Sequence, residues 1–423
     1  MTVSEANSLI LLADLDNPEA ARRSLETAAE ALRTRSPAEL VSAVLASGLR
    51  GRGGAGFPAG IKWQAVAGAQ AEQKFLVVNG AEGEPGSYKD RFLMKRLPHR
   101  VVAGSILAAY AVGATKGYIY IHHEADDCRA AIEGALEEAR ALGLLGEDVL
   151  GTGFSLDLQT HPAGIGYVAG EETAVIRVLE GGVAKPKPKP PYPTVRGLWG
   201  FPTLVNNVET IANVEPIVRN GPQWYRRFGT ADTPGTILVT LHGVKKPGVY
   251  EVEAGTPLSA VINEHGGGAR GRILAVLPGG YASGFLSPEE LDVPLEHASL
   301  RARGSALGSA TIHVFDESQC IVEVTRKVLR FFAAETCGQC FPCRRGTRDL
   351  YQLLDEAESG SAREDWDGAV DAILQLTGRK TICGLDKASS LVFRSAYQRF
   401  ASEFRDHLSS NACRVCSSGA GGQ

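Results

Sequence analysis

Cys337-Gly-Gln-Cys340-Phe-Pro-Cys343 places three thiols at CxxCxxC spacing, and Cys383 follows forty residues later in Thr-Ile-Cys-Gly-Leu. Three thiolates so spaced wrap one face of a cubane and a remote fourth closes it, which is the arrangement of [4Fe–4S] ligation. A structural zinc site is the competing reading. Zinc more often takes two separated knuckles, because three near-contiguous ligands crowd a tetrahedron. Either reading requires Cys383 as the fourth ligand. Pro342 and its small neighbours suit a tight loop whose N–H groups point at sulfur. Six of the eight cysteines follow residue 336, and in a large chain without a signal peptide such crowding favours metal or redox chemistry over disulfides. Cys413-Arg-Val-Cys416 sits in a Ser/Gly-rich tail and reads as an ordinary terminus. Cys128 and Cys320 fall in helical stretches and read as buried small hydrophobes.

A second chemical signal is Gly51-Arg-Gly-Gly-Ala-Gly-Phe-Pro-Ala-Gly60, with five glycines in ten residues. Its Gly51-x-Gly53-x-x-Gly56 matches the dinucleotide-binding pattern literally, but that pattern should follow a buried strand, and residues 39–49 look helical. Free backbone N–H groups beside Arg52 and Lys62 suit a phosphate nest. A flexible surface turn fits the same residues, and composition alone leaves both open. A further match, Gly266-x-Gly268-x-x-Gly271, reads as a connector.

These signals need a scaffold. The first fifty residues read as helical. Phe75–Asn79, Gly117–His122 and 154–161 read as strands alternating with helices over 98–113, 125–143 and Glu171–Glu180, the signature of an α/β fold with a parallel sheet. The run KPKPKPPYP (185–193) admits neither helix nor inner strand and must be an extended connector. From about residue 236 short strands signal a compact α+β module. After 319, apolar residues at helical spacing over 321–333, 350–357, 366–376 and 388–408 predict a four-helix bundle. The expected parts are therefore 1–235, 236–318 and 319–423.

Composition narrows the function classes. The net charge of −4 over 423 residues gives no electrostatic reason for a nucleic-acid partner. No apolar run approaches the roughly 20 residues that span a bilayer. The N-terminal stretch has no basic region and is interrupted by Asp14 and Asp16, so the expected location is the cytoplasm. Any membrane link would come through partners, leaving the chain peripheral to the inner membrane.

Five segments together resemble one family: GRGGAGFPAGIKW, Val78–Asp90, Tyr167–Ala174, GLWGFPTLVNNVET and CGQCFPC. In that order they resemble the flavoprotein subunit of respiratory complex I and the related diaphorase subunits of NAD-reducing hydrogenases and NAD-dependent formate dehydrogenases. The resemblance implies a Rossmann-like domain binding FMN, a ubiquitin-like module and a helical domain carrying one [4Fe–4S] cluster. It implies FMN contacts at Gly51, Arg52, Gly53, Gly54, Lys62, Asn79, Glu82, Tyr167, Gly170 and Glu171, with Asn206, Asn207 and Thr210 on the phosphate side. For NADH it implies Phe57, Glu84, Glu172, Lys189 and Tyr192. Hydride would pass from NADH to FMN, then single electrons to the cluster held by Cys337, Cys340, Cys343 and Cys383. The expected partners are a thioredoxin-like [2Fe–2S] subunit and a larger iron–sulfur or catalytic subunit. Carboxylates near the adenosine ribose favour NADH over NADPH. Ala65, Ala81 and Gly83 depart from the commoner family pattern. The alternatives are a diaphorase of a soluble formate dehydrogenase or hydrogenase, and a metal-stabilised scaffold without catalysis.

Overall fold

The computed structural model describes residues 9–13, 15, 17, 19–359 and 363–410, so Asp14, Asp16, Cys413 and Cys416 lie outside the described residues. Phe75-Leu-Val-Val is apolar on both faces, as a strand covered on both sides must be. It forms β1 (Phe75–Gly80), inside a parallel sheet with β2 (Lys116–Ile121), β3 (Asp157–Pro162) and β4 (Thr203–Asn207), in the order β3-β2-β1-β4. Helices Pro98–Val112, Asp126–Ala141 and Glu172–Leu179 connect them in the expected alternation. β4 was not anticipated from the sequence. It is five residues long and ends in two asparagines, too short and too polar to register as a strand.

That fourth strand decides where a ligand can sit. The chain winds from β1 to β2 to β3 in one direction, then returns to place β4 on the other side of β1. The carboxyl ends of β1 and β4 thus flank a topological switch point, where open α/β sheets take their ligands. Asn79 and Asn207 face each other there in register.

The first fifty residues are only partly helical. Helices run Glu19–Thr34 and Pro37–Ser47, the latter with Ser36 and Glu39 forming a capping box. Ahead of them, the N–H groups of Leu9, Ile10, Leu11 and Leu12 all donate to the buried Glu251 carboxylate at 2.8–3.1 Å. Arg100 Nη1 holds the carbonyls of Ile10 and Leu11 at 3.1 and 2.5 Å. A tertiary partner about 240 residues away replaces the helical ladder for this run, and no local window can see it.

The second sheet has the order β6-β5-β8-β7, with β5 (Thr236–His242), β6 (Gly248–Glu253), β7 (Ile273–Leu277) and β8 (Thr311–Asp316). β5 pairs antiparallel with β6 and parallel with β8, the central parallel pair of a ubiquitin-like sheet. Beyond it, the described residues form five helices where four were expected: Ile321–Glu335, Phe341–Glu358, Trp366–Thr377, Leu385–Arg399 and Ala401–Ser410. The stretch expected as one helix breaks at Phe400, which leaves helical geometry (φ −118°, ψ 35°) and buries its ring. The helical core also takes in Val168 from the first part and Ala275, Leu277 and Phe285 from the second.

Candidate functional site

The glycine loop folds back on itself. Gly51 N–H donates to the Phe57 carbonyl at 2.8 Å and Ala59 N–H to Leu49 at 2.9 Å. It follows a helix, as its sequence context indicated, so it is not a Rossmann turn. It nevertheless lies over the switch point. A Cβ added at Gly53 would come within 3.1 Å of Asn207 Cβ, and Arg52 N–H donates to Thr210 Oγ1 at 2.8 Å. Gly54 and Gly56 adopt φ of +119° and +65°, and a Cβ on Gly56 would fall 2.2 Å from His297 Nε2. Only glycine fits that turn.

The side chains around this cradle are used unevenly. Asn79 donates to the Gly170 carbonyl at 2.8 Å, and Asn207 caps the helix Val208–Ala212 while donating to Asp90 at 2.5 Å. Asn206 is buried and accepts from Trp63 Nε1 at 2.9 Å. The Arg52 guanidinium, expected as charge over a phosphate, is buried against the Tyr225 hydroxyl (3.3 Å) and the Pro234 carbonyl (3.0 Å). Its Nε and Nη1 are buried without a hydrogen-bond partner among the described residues. The loop therefore presents backbone, with the Arg52 charge beneath it.

Beside the cradle runs an alternating ion-pair chain. Lys62 Nζ meets Glu172 at 2.9 Å, and Lys189 Nζ bridges Glu172 and Glu171 at 2.9 Å each. Glu171 also caps Glu172–Leu179, accepting from the N–H groups of Thr173 and Ala174 at 2.8 and 3.1 Å. Burial alone would raise the Glu172 carboxyl, but Lys62 and Lys189 outweigh it and hold it below the usual range. The lysine–proline connector thus delivers Lys189 to the two glutamates. Phe57 and Tyr192, 49% and 55% exposed, are free aromatic faces.

Glu82 and Glu84, adjacent in pattern, do different work. Glu82 sits at positive φ with its carboxylate accepting from Ser87 Oγ and the N–H groups of Asp90 and Arg91 at 2.8–2.9 Å. Its oxygens are committed to the turn into the helix Lys89–Arg96, so its contribution to any ligand is through that turn. Burial first, and then Asp90, push it up to about 7. Glu84 accepts from Tyr281 N–H at 2.6 Å and from the Tyr167 hydroxyl at 3.1 Å, and burial likewise raises it to about 7. The departures from the family pattern find places too. A Cβ at Gly83 would stand 3.2 Å from Tyr167 Cα, Ala81 is buried, and Ala65 is exposed.

Sequence reasoning missed Lys89. Its ammonium is 3% exposed and pairs with Asp90 at 2.8 Å and Glu209 at 2.9 Å, with Asn207 at 3.4 Å. Burial opposes its charge, but Asp90, Glu209 and Glu82 prevail and hold it well above the usual lysine value. The sequence signal was a lysine beside an aspartate inside one of the five long segments. Its second partner, Glu209, lies in another of them.

The four thiols gather where two helices begin. Cys340 is the N-cap of Phe341–Glu358, with Pro342 at the start and Cys343 buried in the first turn. The helix therefore starts nine residues before its apolar periodicity shows, since Cys-Arg-Arg-Gly carries no such signal. Gly384, next to Cys383, caps Leu385–Arg399. Both positive helix ends meet the sulfurs. Thr336 Oγ1 lies 3.4 Å from Cys343 Sγ, and Gln339 Nε2 donates toward Cys337 Sγ at 3.5 Å and to the Pro186 carbonyl at 3.0 Å. Burial pushes the Cys343 thiol up to about 11, with Cys383 and Cys337 among the charges acting on it. Four thiols set on an apolar core with positive dipole ends fit a polyanionic iron–sulfur cluster.

Tyr167 joins the two sites. Its hydroxyl reaches Glu84, its N–H donates to Glu335 at 2.7 Å, its ring packs edge-on against Phe331 at 5.3 Å, and the Cys383 charge acts on its hydroxyl. Of the remaining cysteines, Cys128 is buried in its helix as expected. Cys320 is buried too, but as a helix N-cap facing His407, not as an inert hydrophobe.

Comparison with known proteins gives three family matches in chain order. Residues 44–216 match the Nuo51 FMN-binding domain, 239–273 the SLBB domain, and 323–407 the NADH-ubiquinone oxidoreductase-F iron-sulfur binding region. The first span takes in the glycine loop, both asparagine strands and the lysine–proline connector; the last takes in all four thiols. An NADH-quinone oxidoreductase F subunit of Rhizobium meliloti is 40% identical over 387 residues, covering 91% of this chain and 92% of that protein. The HndC subunit of an NADP-reducing hydrogenase from Solidesulfovibrio fructosivorans is 41% identical over 389 residues, covering 90% of this chain and 79% of the relative. A crystal structure of an NAD+-reducing [NiFe]-hydrogenase superposes with a TM-score of 0.87 at 32% identity, over 97% of this chain and 68% of that one. No helix among the described residues is long and apolar enough to cross a membrane. With more than nine-tenths of both sequences aligned at this identity, the chain belongs to the NADH-quinone oxidoreductase F-subunit family of FMN- and [4Fe–4S]-binding electron-transfer proteins.

Proposed function

We propose that this chain is the electron-entry subunit of a larger oxidoreductase, taking hydride from NADH at the switch-point cleft and delivering electrons to the thiol site. The observation that carries the reading is the Tyr167 junction, where one residue touches Glu84 of the cleft and the helix that leads into Cys337. Bound FMN supplies the conversion of a hydride pair into single electrons, which a [4Fe–4S] cluster accepts one at a time. The chain's residues provide binding and positioning. Backbone N–H groups of Gly51, Gly53 and Gly54, with Asn206, Asn207 and Thr210, make the phosphate end of the FMN site, and the buried Arg52 and Lys89 charges stand behind it. Lys62, Asn79, Gly170 and Glu171 line the cleft, closed on one side by Tyr167 and on another by the turn that Glu82 holds. Phe57 and Tyr192 offer faces to the nucleotide, and Glu84, Glu172 and Lys189 its polar contacts. Cys337, Cys340, Cys343 and Cys383 hold the cluster.

The same reading divides the chain into 1–235, 236–318 and 319–423, and buried cores each drawn mainly from one of these parts support the division. The relatives are subunits of multi-subunit enzymes, so electrons leave through partner subunits, a thioredoxin-like [2Fe–2S] protein and a larger iron–sulfur or catalytic subunit. A complex I-type and a hydrogenase-type host are both represented among the relatives, and co-purifying subunits decide between them. The test is an anaerobic NADH titration of the chain with its partner, followed by visible absorption and EPR. Flavin bleaching with a reduced [4Fe–4S] signal that disappears in Cys383→Ser supports the reading. A colourless protein with neither flavin nor iron overturns it and leaves the scaffold alternative.

A further inference from the structure

The second sheet turns one face away from its own core. Along β5 and β8, Val239, Leu241, Ile312 and Val314 point into that core, so strand alternation puts Thr240, His242, Thr311 and His313 on the opposite face. That face lies against the loop after β1, where Thr240 Oγ1 accepts from Tyr88 N–H at 3.4 Å. His242 and His313 are register partners on adjacent parallel strands, and their rings stack with centroids 4.8 Å apart and planes 13° apart. The separation matches the spacing of neighbouring strands, as same-face partners require.

Opposite the stack stands a tight turn. Glu84-Pro-Gly-Ser87 closes with Ser87 N–H donating to the Glu84 carbonyl at 3.0 Å, and Gly86 has φ of +79°. Proline in the second position and glycine at positive φ in the third make it a type II turn. The Gly86 carbonyl accepts from His242 Nε2–H at 2.8 Å, which fixes that tautomer because a carbonyl cannot donate. A Cβ on Gly86 would come within 2.9 Å of both His242 Nε2 and His313 Cε1, so the rings bear directly on the backbone. Next to His313 lies the Tyr281 ring, centroids 5.5 Å apart, and Tyr281 N–H donates to Glu84 at 2.6 Å. Burial and the neighbouring His242 push His313 down to about 4, against the Pro85 carbonyl, so this ring is neutral at neutral pH. The turn is thus gripped twice from the second sheet, at the Glu84 carboxylate and at the Gly86 carbonyl. Packing alone would be served by any two flat rings, whereas a directed bond two residues from Glu84 fixes where that carboxylate stands.

We propose that His242 and His313 are positioning residues for NADH, the stacked pair holding the Glu84–Ser87 turn so that Glu84 meets the nucleotide. The inference rests on the reading of Glu84 as a nucleotide contact and adds two residues outside the cleft to it. A turn released from His242 samples other arrangements, and apparent NADH affinity falls with the fraction of chains in which Glu84 is in place. Chains that do bind turn over as before, so the loss appears in KM and not in kcat.

The test uses the full chain with flavin and cluster bound, co-purified with its partner, and follows NADH oxidation with ferricyanide as acceptor. His242→Asn keeps an amide but is too short to reach Gly86, whereas His242→Gln carries its amide nitrogen to about the reach of Nε2. His242→Asn should raise KM for NADH about fivefold, the factor of one neutral hydrogen bond, with kcat, flavin and iron content near wild type. His242→Gln should restore most of the wild-type KM. Should His242→Asn fail to fold, His313→Leu decides by the same measurement, since it leaves His242 in place and removes the ring it stacks on. An unchanged KM in these variants overturns the proposal, and so does an equal loss in His242→Asn and His242→Gln. Loss of flavin and kcat at unchanged KM assigns the stack to stability alone and equally overturns it. Failure of NADH to bleach the wild-type flavin would instead remove the proposed function, and this inference with it.

Discussion

Glu84→Gln tests whether enclosure sets the charge of the carboxylate at the meeting of cleft and cluster. The residue is half-buried, but its carboxylate is packed between Tyr167, Tyr281 and Gly280, where a Cβ on Gly280 would come within 2.7 Å of Oε1. That desolvation raises it to about 7, against the lowering effect of hydrogen bonds from Tyr281, Tyr167 and Ala282. An unfolded glutamate titrates at about 4.3. The folded chain therefore holds a proton that the unfolded chain releases between those values. Stability from this group is fully present below the unfolded value and is lost as pH rises through about 7. At about 1.4 kcal/mol per unit, the loss is about 1 kcal/mol at pH 5 and about 3.5 kcal/mol at pH 8. Glutamine keeps the shape, an acceptor for Tyr281 N–H and a partner for the Tyr167 hydroxyl, and does not ionise. In guanidinium unfolding of the full chain, the stability of the variant relative to wild type should grow by about 2.5 kcal/mol from pH 5 to pH 8. Glu82, raised to a similar value, titrates in both proteins and cancels in the difference. A difference that stays constant with pH, or one that falls as pH rises, refutes the reasoning.

Other perturbations follow from the same contacts. Lys89→Met leaves Asp90 and Glu209 buried without their ammonium, a change that costs about 3–5 kcal/mol; thermal melts should drop and the purified protein should carry less flavin. Gly56→Ala forces a Cβ into the His297 ring at positive φ, and about 1–3 kcal/mol of stability should be lost, read as a lower guanidinium midpoint. Glu251→Ala strands four backbone N–H groups, with a loss of about 3–5 kcal/mol by unfolding and proteolysis at residues 9–12 becoming faster. Cys343→Ser should remove iron but leave NADH-dependent flavin bleaching, monitored by EPR and absorption.

The sequence carried the chemistry further than it carried the geometry. The thiol set, the glycine loop and the alternation around β1, β2 and β3 were legible because each is a local pattern of spacing or periodicity. β4 was hidden by its shortness and its asparagines, and the start of Phe341–Glu358 by residues chosen for the cluster instead of for a helix face. Leu9–Leu12 looked helical because their partner, Glu251, lies in the second sheet. Arg52 and Glu82 show a different limit. Residue type and motif placed both at the cleft, but only the fold reveals that the guanidinium lies beneath the loop and that the carboxylate is committed to Ser87, Asp90 and Arg91. Lys89 went unmarked for the converse reason, since a buried lysine is recognised by what surrounds it.

The contacts of Glu84 and Tyr167 bear on the order in which the protein matures. Glu84 belongs to the loop after β1, Tyr281 to the loop after β7, and Glu335 to the end of a helix leading into the cysteines, yet all three are joined by a chain of hydrogen bonds through Glu84 and Tyr167. The Tyr167 side of the cleft is complete only when the first sheet, the second sheet and the helix Ile321–Glu335 have each formed and docked. A nascent chain emerging in sequence order therefore lacks this side of the cleft until the helix Ile321–Glu335 is in place, and flavin loading becomes a late step. Retained yellow colour in a purified variant then reports the docking of all three parts at once, where a circular dichroism spectrum would report only their separate secondary structure.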